Sequence, residues 1–531
     1  MTIRSVGDDL ARTGSYVVRA LRLFDAYGDR EAVAGQGRRL TYRQVRDQVL
    51  DLAAGLQERG VRAGTGVLVL AGNTIELPAL QLALHLLGAR TMWIAPIAGR
   101  TEIEQFAALS QPDLFLYDAV GKAELGARLS KQLGHWVPVL CLGEGGLGPD
   151  LLAPRAPGAA AFRPERAGDD IATCLQTSGT TGVPKLVHHR QAFYEQILAL
   201  AADFVAAGNP LLRHLSHSPM AFASGQITGL FNLFTGGVLF LEETWDAGNA
   251  LAVIERERIN STYVSPPLLY QLLDHPALAT TDVTSLFMLN VGAGPAAPSR
   301  LRQAIAAFGP CLRIVYGLSE VIVVTAQPGL TEDPEHPERL RSSGTPYGDV
   351  RVQIRDGEGI PLEPGETGEI WAASRLAFAG YWGRPELTAR TIVDGWVRTG
   401  DLGFLDEDGY LYVVDRVADT IITGKANWNV YTRPIEDLLA AQPGVRAAAV
   451  IGVPDEEYGE VPHAYVVRRD GEHPAAAGLA AAVVAEYNEM WEPRGVTFLD
   501  ELPLTIAGKV DKQALRSRWA DEHRAGDGAS R

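Results

Sequence analysis

Short, continuously apolar runs alternate with helical runs through the first part of the chain, and this alternation limits its possible folds more than any other feature. Gly66–Ala71 reads as a buried strand, Glu76–Leu87 as the helix after it, closed by Gly88-Ala89, and Thr91–Pro96 as the next strand. Asp113–Tyr117 and Trp136–Leu142 read as further strands. Tyr16–Tyr27 reads as an opening helix, and Val45–Arg59 as another, with Val45, Val49, Leu52, Ala53 and Leu56 on one face. Such alternation predicts βαβ units on a largely parallel sheet, an α/β fold. At 531 residues the chain is too long for one ordinary domain.

A stretch rich in Gly, Pro and Ala, 143–168, reads as a surface loop. Behind it lies Gln176-Thr-Ser-Gly-Thr-Thr-Gly-Val-Pro-Lys185. Ile171–Leu175 in front reads as a short strand and Gln191–Ala202 behind as a helix. A turn of glycines and hydroxyls between strand and helix gathers backbone N–H groups around one point, which suits a polyphosphate, with Lys185 as a further counter-charge. A Walker loop ends Gly-Lys-Ser/Thr, whereas this one ends Val-Pro-Lys. Ser, Thr and Gly also mark ordinary turns, but this ordered set is too specific for that reading to be favoured.

The formal charge of −16 argues against nucleic acid or an anionic membrane as the main partner. The three cysteines, Cys141, Cys174 and Cys311, lack the paired spacing of a zinc or redox motif, which favours a reducing, cytoplasmic setting. Asp8 and Asp9 interrupt the N-terminus, so no signal peptide is read, and no run is long and apolar enough to span a bilayer.

The Gln176–Lys185 stretch resembles the phosphate-binding signature of the adenylate-forming (AMP-binding) superfamily: acyl-CoA synthetases, aryl-CoA ligases, adenylation domains of peptide synthetases and luciferase. Further motifs follow in that family's order. Val315-Tyr-Gly-Leu-Ser-Glu320 is similar to Tyr-Gly-x-Thr-Glu, with Ser319 keeping the hydroxyl. Gly395–Gly403 resembles the Trp-x-x-Thr-Gly-Asp signature, and Asp415–Gly424 the hinge and first strand of a small C-terminal domain. Leu502–Lys512 resembles the closing Pro-x-Thr-x-x-Gly-Lys-x-Asp-Arg/Lys. The resemblance implies a large N-terminal domain (1–414) of parallel-rich sheets with helices and a β-rich subdomain, to which Gly368–Ile370 and Ala379–Trp382 are assigned. A hinge (415–418), a small mobile three-stranded α+β lid (419–520) and a structureless tail (521–531) follow.

The same resemblance implies the site. Thr177, Ser178, Gly179, Thr180, Thr181 and Lys185 cradle phosphates. Gly292, Ala293 and Gly294 pass under the adenine, Tyr316 stacks on it, and Gly317 lets the backbone approach. Ser319 belongs to the same nucleotide surface. Glu320, with Thr180, holds Mg²⁺, Asp401 takes the ribose hydroxyls, and Arg416 reaches ribose or phosphate. Lys509 meets the carboxylate and the α-phosphate in the transition state. The acid pocket is placed at Phe222, Gly225, Gln226, Val291, Gly292 and Leu318. Phe222 stands where fatty-acyl and aryl-CoA members carry histidine and amino-acid-activating domains aspartate. It has no charge for an ammonium, which disfavours an α-amino acid and leaves a mostly apolar slot for an aromatic or cinnamate-like acid; packing in the core is the equally weighted alternative.

Beyond Gly424 the chain departs from the family. Gly424-Lys-Ala-Asn-Trp-Asn aligns with Gly-Gly-Glu-Asn only through an insertion of about two residues, and Lys425 and Trp428 are bulky where small residues are usual. In the family this hairpin lines the tunnel through which pantetheine reaches the acyl-adenylate, so the resemblance implies that the second acceptor enters here. The implied reaction is adenylation of a small carboxylic acid by Mg·ATP followed by transfer to CoA. The alternatives are a carrier-protein phosphopantetheine, an amine, or adenylation of another oxyacid such as nitrite acting on a substrate amine. Secondary metabolism is the expected setting, and the chain is expected to act as a monomer or homodimer.

Overall fold

The computed structural model describes residues 15–95, 100–155, 162, 171–177, 185–424, 428–505 and 509–528. Two sheets and the helices between them form the body of the large domain. The seven-stranded sheet runs in the order Gly380–Tyr381, Lys185–Arg190, Ile171–Thr177, Arg90–Ile94, Gly66–Leu70, Leu114–Asp118, Val139–Leu142. Its five strands from Ile171–Thr177 onward are parallel, as the alternation predicts. The nine-stranded sheet has a parallel centre, including Arg213–Ser216, Met288–Gly292 and Leu312–Leu318, with antiparallel edges.

Helices Tyr16–Tyr27, Tyr42–Glu58, Leu77–Leu86, Gln191–Ala206 and Ala223–Phe234 contribute to one core cluster with Val67 and Val69 of the first sheet and Val33 and Leu239 of the second. Leu77–Leu86 is buried on every side, which explains why it is apolar all round rather than amphipathic. The helix Tyr42–Glu58 starts three residues before the apolar stripe, because Thr41 and Gln44 form a reciprocal capping box. A network of side chains is sealed in this core: Tyr16 meets His85 Nδ1 (2.7 Å), His85 Nε2 meets Thr173 (2.9 Å), and Tyr194 meets the Thr173 hydroxyl (2.8 Å) and donates to Gln226 Oε1. Burial pushes His85 down to about 3, so it is neutral there.

A five-stranded antiparallel sheet, built from Arg351–Arg355, Gly368–Ala373, Ile392–Val393, Trp396–Leu405 and Leu411–Arg416, forms the β-rich subdomain. Gly380–Tyr381, assigned to this subdomain from sequence, instead pairs with His188 and Val187 at the edge of the seven-stranded sheet. The small domain carries a five-stranded sheet among the described residues, where the resemblance implied three strands. The two extra strands, Trp428–Val430 and Gly495–Leu499, are short and only partly apolar. The last helix runs Lys512–Gly528, so helix occupies positions 521–528 of the tail that was expected to be structureless.

Candidate active site

The largest revision concerns the glycine- and hydroxyl-rich stretch. Lys185–Arg190 is itself a strand, antiparallel to Ile171–Thr177 with Thr177 opposite Lys185. The loop therefore joins two antiparallel strands, where the sequence predicted a strand followed directly by a helix. Ser178, Gly179, Thr180 and Thr181 lie outside the described residues.

From this hairpin the site is assembled by long-range contacts. His189 donates its Nε2–H to the carbonyl of Ser319 at 2.9 Å and is kept neutral by burial, with its pKa pushed down to about 3. Lys185 Nζ sits 5.5 Å from the centre of the Tyr381 ring, and Tyr381 donates its hydroxyl to Glu320 Oε1 at 2.6 Å. Glu320 is buried, so this charge-assisted bond fixes one of its oxygens and aims the carboxylate. Among the described residues no cluster of three or more His, Cys, Asp or Glu could hold a metal. A lone carboxylate fits Mg²⁺, which keeps waters and phosphate oxygens as its other ligands.

Asp401 and Arg416 face each other across the strands Trp396–Leu405 and Leu411–Arg416. Arg416 Nε lies 3.1 Å from Asp401 Oδ1, and Tyr316 donates its hydroxyl to Asp401 Oδ2 at 2.7 Å. Lys509 completes the set from the small domain. Its N–H bonds Thr505 Oγ1 at 3.2 Å and its carbonyl accepts from Thr505 N at 2.7 Å, closing a turn whose centre, 506–508, lies outside the described residues. Burial, then the Arg416 charge, lowers the Lys509 ammonium to about 8 against the opposing pull of Asp401 and Glu320.

Asp401, Arg416, Tyr316 and Lys509 border a cavity of about 1130 Å³ between the domains, lined also by Gln176, Val291, Ala293, Gly294 and Gly317. Ala293 adopts φ 68° at its floor. Gly294 leaves the floor open, the nearest atom to a Cβ there being 3.9 Å away. Gly292 is required by packing, because a Cβ would lie 2.6 Å from the Val315 carbonyl.

The positions expected to form the acid pocket are placed differently. Phe222 precedes the helix Ala223–Phe234 and belongs to the core cluster. Gln226 is fully buried in the Tyr194 network, and a Cβ on Gly225 would lie 2.3 Å from the Ser218 carbonyl. Leu318 packs on the apolar cluster around Val321 and Val324. Of this group, Val291 is the one that lines the cavity. In the acceptor hairpin, Gly424 (φ 74°) donates its N–H to Tyr458, Trp428 opens a strand opposite Thr423, and Lys425 lies outside the described residues. Tyr381 and His189 were missed from sequence. Each is an aromatic in a short strand, with no local sign that it would meet a carboxylate or carbonyl far along the chain.

A nucleotide-sized cleft with a buried carboxylate, an Asp–Arg pair and a lysine delivered by a second domain defines an enzyme that activates acids with ATP. The AMP-binding enzyme family matches residues 22–382, and the AMP-binding enzyme C-terminal domain matches residues 434–509. The chain belongs to this family of ATP-dependent, AMP-forming acid ligases. It is similar to the amide bond synthetase McbA from Marinactinospora thermotolerans, at 36% identity over 95% of this chain and 99% of that one, with a TM-score of 0.86. It is 33% identical to a feruloyl-CoA synthase from Amycolatopsis over 515 residues, 95% of this chain and 99% of that protein. A medium/long-chain-fatty-acid–CoA ligase, FadD8 of Mycobacterium tuberculosis, is 37% identical over 369 residues, and the match spans 67% of this chain and 63% of that protein. No helix among the described residues is long and apolar enough to cross a membrane.

Proposed function

We propose that the chain adenylates an apolar, aromatic or cinnamate-like carboxylic acid and transfers the acyl group to CoA. The observation that carries the first step is the convergence of Lys509 on Asp401 and Arg416 at one cavity, with the Glu320 charge also acting on Lys509. A carboxylate oxygen attacks the α-phosphorus, the bond to the bridging oxygen breaks, and pyrophosphate leaves. Lys509 screens the incoming carboxylate and the α-phosphate, Arg416 the neighbouring phosphates or ribose, and Asp401 accepts from the ribose hydroxyls. Glu320 and Thr180 are the residues that would hold Mg²⁺, which neutralises phosphate charge when bound. In the second step the thiol attacks the acyl carbonyl, loses its proton, and AMP departs. The feruloyl-CoA synthase relative supports both the aromatic acid and the thiol.

A second reading, an amine as acceptor, is favoured by one specific feature. The hairpin carries Lys425 and Trp428, and the chain is similar along nearly its whole length to an amide bond synthetase. An amine needs no pantetheine tunnel, so bulky residues there cost it nothing. Product mass spectrometry separates the two. The purified chain is given Mg·ATP and a panel of aromatic and fatty acids, each alone, with CoA, and with simple amines. AMP with a CoA thioester supports the first reading, and AMP with an amide in place of the thioester supports the second. No AMP with any acid would count against adenylation itself.

A further inference from the structure

Asp415 and Asp419 bracket the short segment between the two domains. Lys512 and Arg516, with the same spacing, face them from the first turns of the helix Lys512–Gly528. Arg516 Nη2 donates to Asp419 Oδ1 at 2.7 Å. Lys512 Nζ donates to Thr432 Oγ1 at 2.6 Å and lies 2.9 Å from Glu436 Oε1. Thr432 passes the contact on, its hydroxyl reaching Asp415 Oδ1 at 3.1 Å and its backbone N–H reaching Asp415 Oδ2. Asp415, Asp419 and Thr432 are all buried, and Lys512 is nearly so.

Burial changes what these contacts can do. Exposed ion pairs contribute little, but a buried charge stripped of its partner is strongly unfavourable, so a buried clasp holds one geometry. Lys512 begins its helix directly after the turn that carries Lys509, and Leu504 bridges to Val510 between them. The other end of the clasp adjoins Arg416, which contacts Asp401 inside the cavity. The charge that must enter the site and the strand that receives it are thus tied together by side chains at the edge of the same cavity, which Asp415, Asp419 and Lys512 also line.

We propose that Lys512 and Arg516 are positioning residues for adenylation: their clasp on Asp415 and Asp419 fixes the hinge in the pose that inserts Lys509 beside Arg416, Asp401 and Glu320. The proposal rests on the adenylation reading. Its test is ATP–pyrophosphate exchange by the full chain, using whichever panel acid supports exchange in the unsubstituted protein. Lys512→Met is expected to lower kcat roughly 100-fold, the size of effect that a misplacement of about 1 Å produces, with KM for ATP unchanged. Lys512→Arg is expected to restore most of the rate. In a Lys509→Ala background, Lys512→Met should bring no further loss, since it acts through Lys509. Arg516→Met should repeat the pattern, which also covers a Lys512→Met chain that fails to fold. An equal loss from Lys512→Met with and without Lys509, or no loss in either single variant, would overturn the proposal. No exchange in the unsubstituted chain with any acid would overturn the adenylation reading along with it.

Discussion

Raising the pH should weaken adenylation and strengthen the fold at the same time, and both effects trace to Lys509. Burial chiefly, and next the Arg416 charge, lower its ammonium from 10.5 to about 8. That depression corresponds to about 3 kcal/mol against the charged form. Between the two values the unfolded chain carries the proton and the folded chain does not, so stability rises with pH across that window. The chemistry needs the charge, so kcat/KM for ATP should fall about tenfold per pH unit above the free-enzyme value. Bound triphosphate favours the ammonium, so the same limb in kcat should lie at higher pH. The assay is ATP–pyrophosphate exchange at constant ionic strength from pH 6 to 10, with thermal unfolding of the same samples. In Lys509→Ala the residual rate should lack the limb, and the rise in melting temperature from pH 8 to 10 should disappear. A limb near pH 8 that survives in Lys509→Ala would refute the assignment.

Three further outcomes follow from the same geometry. Tyr381→Phe removes the 2.6 Å bond to the buried Glu320 carboxylate and should cost about 1.5–3 kcal/mol, read by thermal unfolding. Saturating Mg·ATP should narrow that difference if Glu320 carries the metal. Asp401→Asn leaves Arg416 unpaired and weakens the Tyr316 bond, and should raise KM for ATP by roughly 10–100-fold. Because Asp401 holds the Lys509 pKa up, the alkaline limb in this variant should move to lower pH. Replacing Lys425–Trp428 with a shorter Gly-Gly-Glu turn should leave pyrophosphate exchange intact and change only the acceptor used, as measured by product mass spectrometry.

Much of the fold was legible because local patterns and global arrangement agree. Tyr16–Tyr27 has the bounds its spacing predicts, the strand predicted over Gly66–Ala71 ends one residue early at Leu70, and that predicted over Asp113–Tyr117 is shifted by one residue to Leu114–Asp118. Lys185–Arg190 was not legible. Lys-Leu-Val-His-His-Arg follows a loop and runs straight into a helix, and it becomes a strand because Ile171–Thr177 offers it a partner. Gln226, placed in the acid pocket by the resemblance, is held in the core, where Tyr194 donates to its Oε1 and its amide donates to the Met220 carbonyl.

The sequence by itself determined the family and the identities of the charged groups. Lys185, Glu320, Asp401, Arg416 and Lys509 each sit in a short motif whose residue types follow from the local job of a turn, a close backbone approach or a charge. Tertiary structure decided who meets whom. Strand register set Asp401 against Arg416, an edge strand carried Tyr381 to Glu320, and Thr432 linked Lys512 to Asp415. The reason is physical: a motif can encode the dihedral angles of its own few residues. The contact between two buried groups far apart in the chain exists only once the sheets, and the burial they impose, are in place.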